Sequence, residues 1–150
     1  MAQSLAKNIV HLIFSTKNRE PLVTAKIRPD LHSYIGGILR QWESPAIIMN
    51  SVPDHVHILF CLSKNHALKK VVEEIKKGSS KWMKTQGPEF AAFFWQAGYG
   101  AFSVSQSGMP DVTRYIENQE KHHHRVGFQA EFRLFLKRYE IEYDERYVWN

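Results

Sequence analysis

Cys61 is the only cysteine in the chain. A disulfide within the chain is therefore excluded, as is a zinc site built from cysteines alone. It stands in the apolar run HILFCL and reads as a small buried residue. Long hydrophobic runs are missing too, since none approaches the roughly 20 residues that span a membrane. The opening stretch MAQSLAKNIVHLIFSTKNR lacks the charged, apolar and small-residue succession of a secretory signal. A cytoplasmic protein with no membrane partner is the expectation. Repeats, low-complexity segments and long linkers are also absent. The 150 residues thus read as one domain, 1–150, long enough to bury a core. Acidic side chains are the minority, 15 against 20 Lys and Arg, which leaves a net charge of +5 and a pI near 9.4. That balance favours a polyanionic partner, although so modest an excess also serves plain solubility. A hydrophobic fraction of 43% is ordinary for a globular protein and argues against disorder.

Residues 8–16, apolar and β-branched, predict a strand that ends in the turn STKNREP. Ile27, Leu31, Tyr34, Ile35, Ile38 and Leu39 recur at helical spacing and predict a helix over 24–42, while Pro29 allows a later start. Two apolar runs, 46–52 and 55–62, flank Pro53-Asp54 and predict paired strands. A helix over 67–84 has an inner stripe of Leu68, Val71, Val72, Ile75, Ser79, Trp82 and Met83. Residues 93–105, FFWQAGYGAFSVS, predict a strand with a kink or bulge at Gly98 and Gly100. The loop SQSGMP leads to Asp111 as a helix N-cap, with a helix over 112–123. A last helix over 128–139 is expected to bury Phe128, Phe132, Phe135, Leu136 and Tyr139. The order β-α-β-β-α-β, then two helices, predicts an α+β, ferredoxin-like split βαβ fold. Its antiparallel sheet would carry helices on one face, with C-terminal helices presenting the candidate nucleophile.

His55 and His57 are two apart on a predicted strand and so share a face. Tyr115 and Gln119 are four apart on a predicted helix and share one as well. If the helix crosses the strand, three neutral ligands can hold a divalent ion beside a phenol. Neutral ligands leave the ion's charge uncompensated, which attracts a phosphate, and the ion acts as Lewis acid and template. A cation nearby would also favour the phenolate of a tyrosine whose free pKa is about 10. A covalent phosphotyrosine would keep the bond energy, so rejoining needs no nucleotide cofactor. Each piece alone has a plainer reading: a strand histidine pair, a half-buried aromatic, a solvated amide. Their conjunction favours the chemistry. Asp54 can orient the His55 ring or simply make a turn. The run His122, His123, His124 can be a metal tract, cap a helix end or meet phosphate.

Candidate contacts to nucleic acid are Lys77, Lys81 and Lys84 on one helix face, with Lys70 earlier and Ser79 and Ser80 nearby. Lys17 and Arg19 follow the first strand, and Arg114 adjoins Tyr115. A solvated outer face is the alternative for the lysine stripe. Phe93, Phe94, Trp95, Tyr99 and Phe102 can stack on unpaired bases or fill a core.

With these residues in view, the sequence resembles the single-tyrosine HUH transposases of the smallest bacterial insertion sequences, the transposase A type. The HUH triplet is His55, Val56, His57. The likeness spans nearly the whole chain through HLIFSTKNREPL, DHVHILF, IKKGSSKWMK, FFWQAGYGAFSVS, YIENQEKHH and IEYDERYVW. It implies a metal-dependent enzyme that cuts and rejoins single-stranded DNA at hairpins. Tyr115 would be the nucleophile, and His55, His57 and Gln119 the ligands of Mg2+ or Mn2+, although imidazoles by themselves also suit zinc or nickel. The resemblance further implies a homodimer whose tyrosine helix can serve the partner's histidines, with Gly108 as a hinge. Other readings are an HUH nickase or a domesticated hairpin-processing relative, and a hairpin-DNA-binding module without chemistry.

Overall fold

The computed structural model describes residues 2–123 and 126–150, and only the backbone of 122 and 123. Strands β1 (Asn8–Ser15), β2 (Ala46–Val52), β3 (His55–Leu62) and β4 (Gly100–Val104) form an antiparallel sheet in the order β2-β3-β1-β4. Helix α1 (Arg28–Gln41) links β1 to β2, and α2 (Leu68–Met83) links β3 to β4. This is the expected split βαβ arrangement, in which β3 lies between β2 and β1, the two strands that α1 connects.

Alternation along the central strands divides their side chains between two layers. Val10, Leu12 and Phe14 of β1 join Val56, Ile58 and Phe60 of β3 in a core with Leu31 and Ile35 of α1 and Val71, Val72 and Ile75 of α2. The opposite face carries Ile9, His11, Ile13, His55, His57 and Leu59. It is covered by α3 (Met109–Glu117) and α5 (Phe128–Arg138), with the short α4 (Gln119–His123) between them. Both faces are therefore buried, which is why β1 and β3 read as nearly unbroken apolar runs. Among the described residues no helix is long and apolar enough to cross a membrane.

Several boundaries differ from the sequence reading. Helix α1 starts at Arg28 because Pro29 suits a first turn, where its missing N–H costs nothing. The strand expected over 93–105 shrinks to β4. Phe93 and Trp95 turn into the α1–α2 core instead, and the Trp95 indole donates to Ser79 Oγ at 2.9 Å. Residues 93–96 cross the end of β1, tied by Lys17 N–H to Phe94 O and by Ser15 N–H to Gln96 Oε1, each 2.8 Å. The helix expected over 112–123 begins earlier, with Gly108 as N-cap and Pro110 in its first turn, and it breaks at Asn118. Asp111 is exposed and pairs with Arg114 rather than capping. Tyr139 ends α5 at 37% exposure and donates to Ser103 O, so it is not core. His124 and the side chains of His122 and His123 lie outside the described residues.

Candidate functional site

The face of β3 turned away from α1 and α2 presents His55 and His57. In β1, His11 stands on the same face, diagonal to His57, which pairs with Ile13. Helix α3 crosses this surface with Ile116 buried against Ile9 and Leu59. Its C-terminal end is fastened by Asn50 of β2, whose Nδ2 donates to Ile116 O at 2.9 Å. That anchor holds Tyr115 over the histidines and lets the chain turn at Asn118, so Tyr115 and Gln119 lie on two short helices yet face the same place. Helix α5 packs beside them through Phe128, Phe132, Phe135 and Leu136.

Four residues singled out by spacing, His55, His57, Tyr115 and Gln119, come together around a fifth that spacing did not reveal. Glu131 of α5 is 2% exposed and faces all four. One carboxylate oxygen accepts from His57 Nε2 at 2.9 Å and lies 3.2 Å from His55 Nε2. The other accepts the Tyr115 hydroxyl and, at 3.3 Å, the Gln119 amide. Behind the imidazoles a second set of partners holds the rings. Asp54 Oδ1 lies 2.7 Å from His55 Nδ1, and His11 Nε2 lies 2.8 Å from His57 Nδ1. The sequence reading missed both Glu131 and His11, although each carries a local signal: an acid within the apolar stripe of FQAEFRLFL and an imidazole within NIVHLIFS.

The electrostatics follow from this crowding. Burial alone would raise the Glu131 carboxyl, but the bonds from His55 and His57 outweigh it and hold the group below the usual carboxylate range. For His55, burial pulls downward, and the bonds to Asp54 and Glu131 prevail, so its pKa is raised. Burial, then the repulsion that a second protonated ring beside His57 would meet, keeps His11 well below 6.5. The Tyr115 phenol is raised, first by burial and next by the Glu131 charge. The site thus holds an ionised carboxylate and a protonated phenol that already donates to it.

These residues fit a divalent cation. One ligand atom each from His55, His57 and Glu131 falls within 4.8 Å of the others. Gln119 Oε1 is buried with no hydrogen-bond partner among the described residues, so a lone pair remains for a further ligand bond. Two imidazoles, a carboxylate and an amide oxygen suit Mg2+ or Mn2+ as well as softer ions. The donor set is therefore one negative charge richer than the neutral trio read from the sequence. A cavity of about 260 Å3 opens next to Tyr115, lined also by His11, Glu131 and Arg138.

The remaining candidates lie elsewhere. Lys77 and Lys81 are exposed on α2, and Arg114 is exposed beside Asp111. Lys17 is exposed over the Phe94 ring, and Arg19 is half-buried in the following turn. Ser80 Oγ and Lys84 Nζ both donate to Phe93 O, and Lys84 also lies 4.0 Å from the Phe94 ring centre. Of the five aromatics, Phe93, Trp95 and Phe102 are buried, whereas Phe94 and Tyr99 are 51% and 36% exposed. These two line a groove of about 400 Å3 with Lys69, Lys76, Lys77 and Ser80. Burial brings Lys76 at its floor down to about 8.

The sequence matches the family described as Transposase IS200 like over residues 4–119. It is 26% identical over 114 residues to the ISDra2 transposase TnpA of Deinococcus radiodurans, covering 73% of this chain and 81% of that one. A crystal structure from Deinococcus radiodurans R1 matches with a TM-score of 0.62 at 24% identity, over 79% of this chain and 98% of the other. A REP-associated tyrosine transposase bound to a REP hairpin matches with a TM-score of 0.62 at 16% identity, over 84% and 74%. The family match stops at Gln119, so α5 and Glu131 lie beyond it.

Proposed function

The chain belongs to the IS200-like transposase family, and from that premise we propose that it cuts and rejoins single-stranded DNA at hairpin-bearing ends through a 5′-phosphotyrosine at Tyr115. The observation that carries this reading is the shared carboxylate: Glu131 contacts both imidazoles with one oxygen and accepts the Tyr115 hydroxyl with the other. Nucleophile and ligand set are thereby registered to one another before any substrate arrives.

His55, His57 and Gln119 would hold Mg2+ or Mn2+, with Glu131 as an additional ligand. A bound ion would polarise the scissile phosphate and steady its oxygens. Tyr115 Oη attacks phosphorus while its proton passes to Glu131. The bond from phosphorus to the 3′ oxygen breaks, that oxygen takes up a proton from solvent, and a free 3′ hydroxyl leaves. Rejoining runs in reverse: a 3′ hydroxyl attacks the phosphotyrosine, and Tyr115 leaves with a proton. Asp54 accepts from His55 Nδ1 and so keeps Nε2 directed at the site. The DNA-facing residues in this reading are Lys17, Arg19, Lys77, Lys81 and Arg114, with Ser80 and Lys84 bracing the wall that carries Phe94. The assembly is a homodimer.

The test incubates the protein with hairpin-bearing single-stranded DNA and Mn2+. A covalent protein–DNA adduct forms, is lost with chelator, and is lost in Tyr115→Phe. An adduct that survives Tyr115→Phe assigns the nucleophile elsewhere. Chelator-insensitive binding with no cleavage makes the chain a binding module.

A further inference from the structure

His55 and His57 face the site in the same way but are held from behind by different chemistry. The partner of His55 is the Asp54 carboxylate, which when ionised can only accept. Nδ1 of His55 therefore keeps its proton, and Nε2 is left to face the site. The partner of His57 is another imidazole, His11, with Nε2 2.8 Å from His57 Nδ1. An imidazole can donate or accept at a given nitrogen, depending on its tautomer. Both rings are buried, at 1% and 0% exposure, and the edge-on ring of Phe135 fixes His11 with centroids 5.1 Å apart.

We propose that His11 is a positioning residue that lets His57 change tautomer, so that Nε2 donates to Glu131 in the ion-free chain and offers a lone pair when a divalent cation enters. This rests on the reading of His57 as a ligand. In the ion-free arrangement His57 Nε2–H donates to Glu131, and in the neutral ring Nδ1 then accepts from His11 Nε2–H. With a cation in place, Nε2 must be bare and the His57 proton must sit on Nδ1, where His11 Nε2 accepts it. The protons balance. His11 passes its Nε2 proton to His57 Nδ1, His57 releases its Nε2 proton to solvent, and His11 takes one up on Nδ1 from solvent in the cavity of about 260 Å3 that it lines. Both rings stay neutral throughout. A partner that could only donate would hold His57 in the form that repels a cation. An apolar partner would leave a buried N–H unsatisfied in the ligand form.

The experiment measures Mn2+ binding by titration calorimetry on the full chain and on His11→Phe and His11→Gln. The phenylalanine variant binds about 10- to 100-fold more weakly, the range found when the partner of a ligating histidine is lost. The glutamine variant recovers most of the affinity, because its amide can donate or accept. On the unmodified chain, nitrogen-15 spectra show the His57 proton on Nε2 without ion and on Nδ1 with Mg2+, a readout that stands even if His11→Phe does not fold. Equal Mn2+ affinity in all three proteins, or an equal loss in both variants, overturns the role of His11 alone. So does a His57 tautomer unchanged by Mg2+. Failure of the unmodified chain to bind Mn2+ overturns the ligand reading and this proposal together.

Discussion

Glu131 brings a full negative charge to a place that water scarcely reaches, and it remains ionised because two imidazoles and a phenol point at it. Such a charge is tolerated only when paired, so its partners and its function are one question. Glu131→Gln keeps the length and an oxygen that can accept from Tyr115 but removes the charge. If the carboxylate is a ligand, calorimetry will show Mn2+ affinity falling by about tenfold or more. Unchanged affinity would return the site to His55, His57 and Gln119. A different histidine sets a pH dependence away from the site. His32 lies 2.8 Å from Ser51 Oγ, and burial, followed by the nearby Arg28 charge, lowers it from 6.5 to about 4. The folded chain thus keeps it neutral while the unfolded chain protonates it, so its contribution is full above 6.5 and is lost as pH falls towards 4. Denaturant unfolding should show His32→Asn losing roughly 1–2 kcal/mol less than the unmodified chain over that window, after discount for partial exposure.

At the scale of elements, the contact between β4 and α5 decides where Glu131 sits. A Cβ on Gly100 would meet Phe132 ring atoms at 2.7 and 2.8 Å, and Phe132 is 3% exposed with little room to yield. Gly100→Ala is expected to cost about 1–3 kcal/mol in denaturant unfolding, and to weaken Mn2+ binding as α5 shifts. Gly98→Ala meets Asn150 O at 3.3 Å and Gln96 Nε2 at 3.8 Å and should cost less. The sequence reading expected a kink or bulge at Gly98 and Gly100, and nothing local could say that a later helix presses on Gly100. Elements with regular periodicity, β1 to β3 and α2, were legible almost to the residue. The segment 93–99 was not, because Phe93 and Trp95 serve the far core through tertiary contacts and strand-like composition alone misplaces them. The pair Tyr115 and Gln119 was legible by spacing although the helix breaks at Asn118. Glu131 was hidden because it joins the site from a different helix, 74 residues from His57.

Taken as a whole, the molecule closes its own site. The tyrosine helix is fixed to its own sheet by Ile116, fully buried against Ile9 and Leu59, and by the Asn50 bond to the Ile116 carbonyl. On its other side α5 packs Phe135 against Tyr115, with ring centroids 5.7 Å apart, and the Tyr115 and His57 centroids are 5.8 Å apart. The Arg28 guanidinium adds a tie from α1 to Glu120 at 2.6 Å, although a pair whose Glu120 side chain is 69% exposed contributes little by itself. Exchange of the helix between subunits, which the family resemblance allows, would expose Ile116 and part of the Phe135 cluster until a partner covered them. Loss of one buried aliphatic contact alone costs about 1.5–3 kcal/mol. If Tyr115 is the nucleophile proposed above, the packing favours its acting beside the histidines of its own chain. Two inactive proteins, Tyr115→Phe and His57→Ala, should accordingly remain inactive when mixed. Incubation of the mixture with hairpin-bearing single-stranded DNA and Mn2+ should give no covalent adduct on a denaturing gel. An adduct that appears only on mixing would show that the helix crosses to the partner and that the closed arrangement is a resting state.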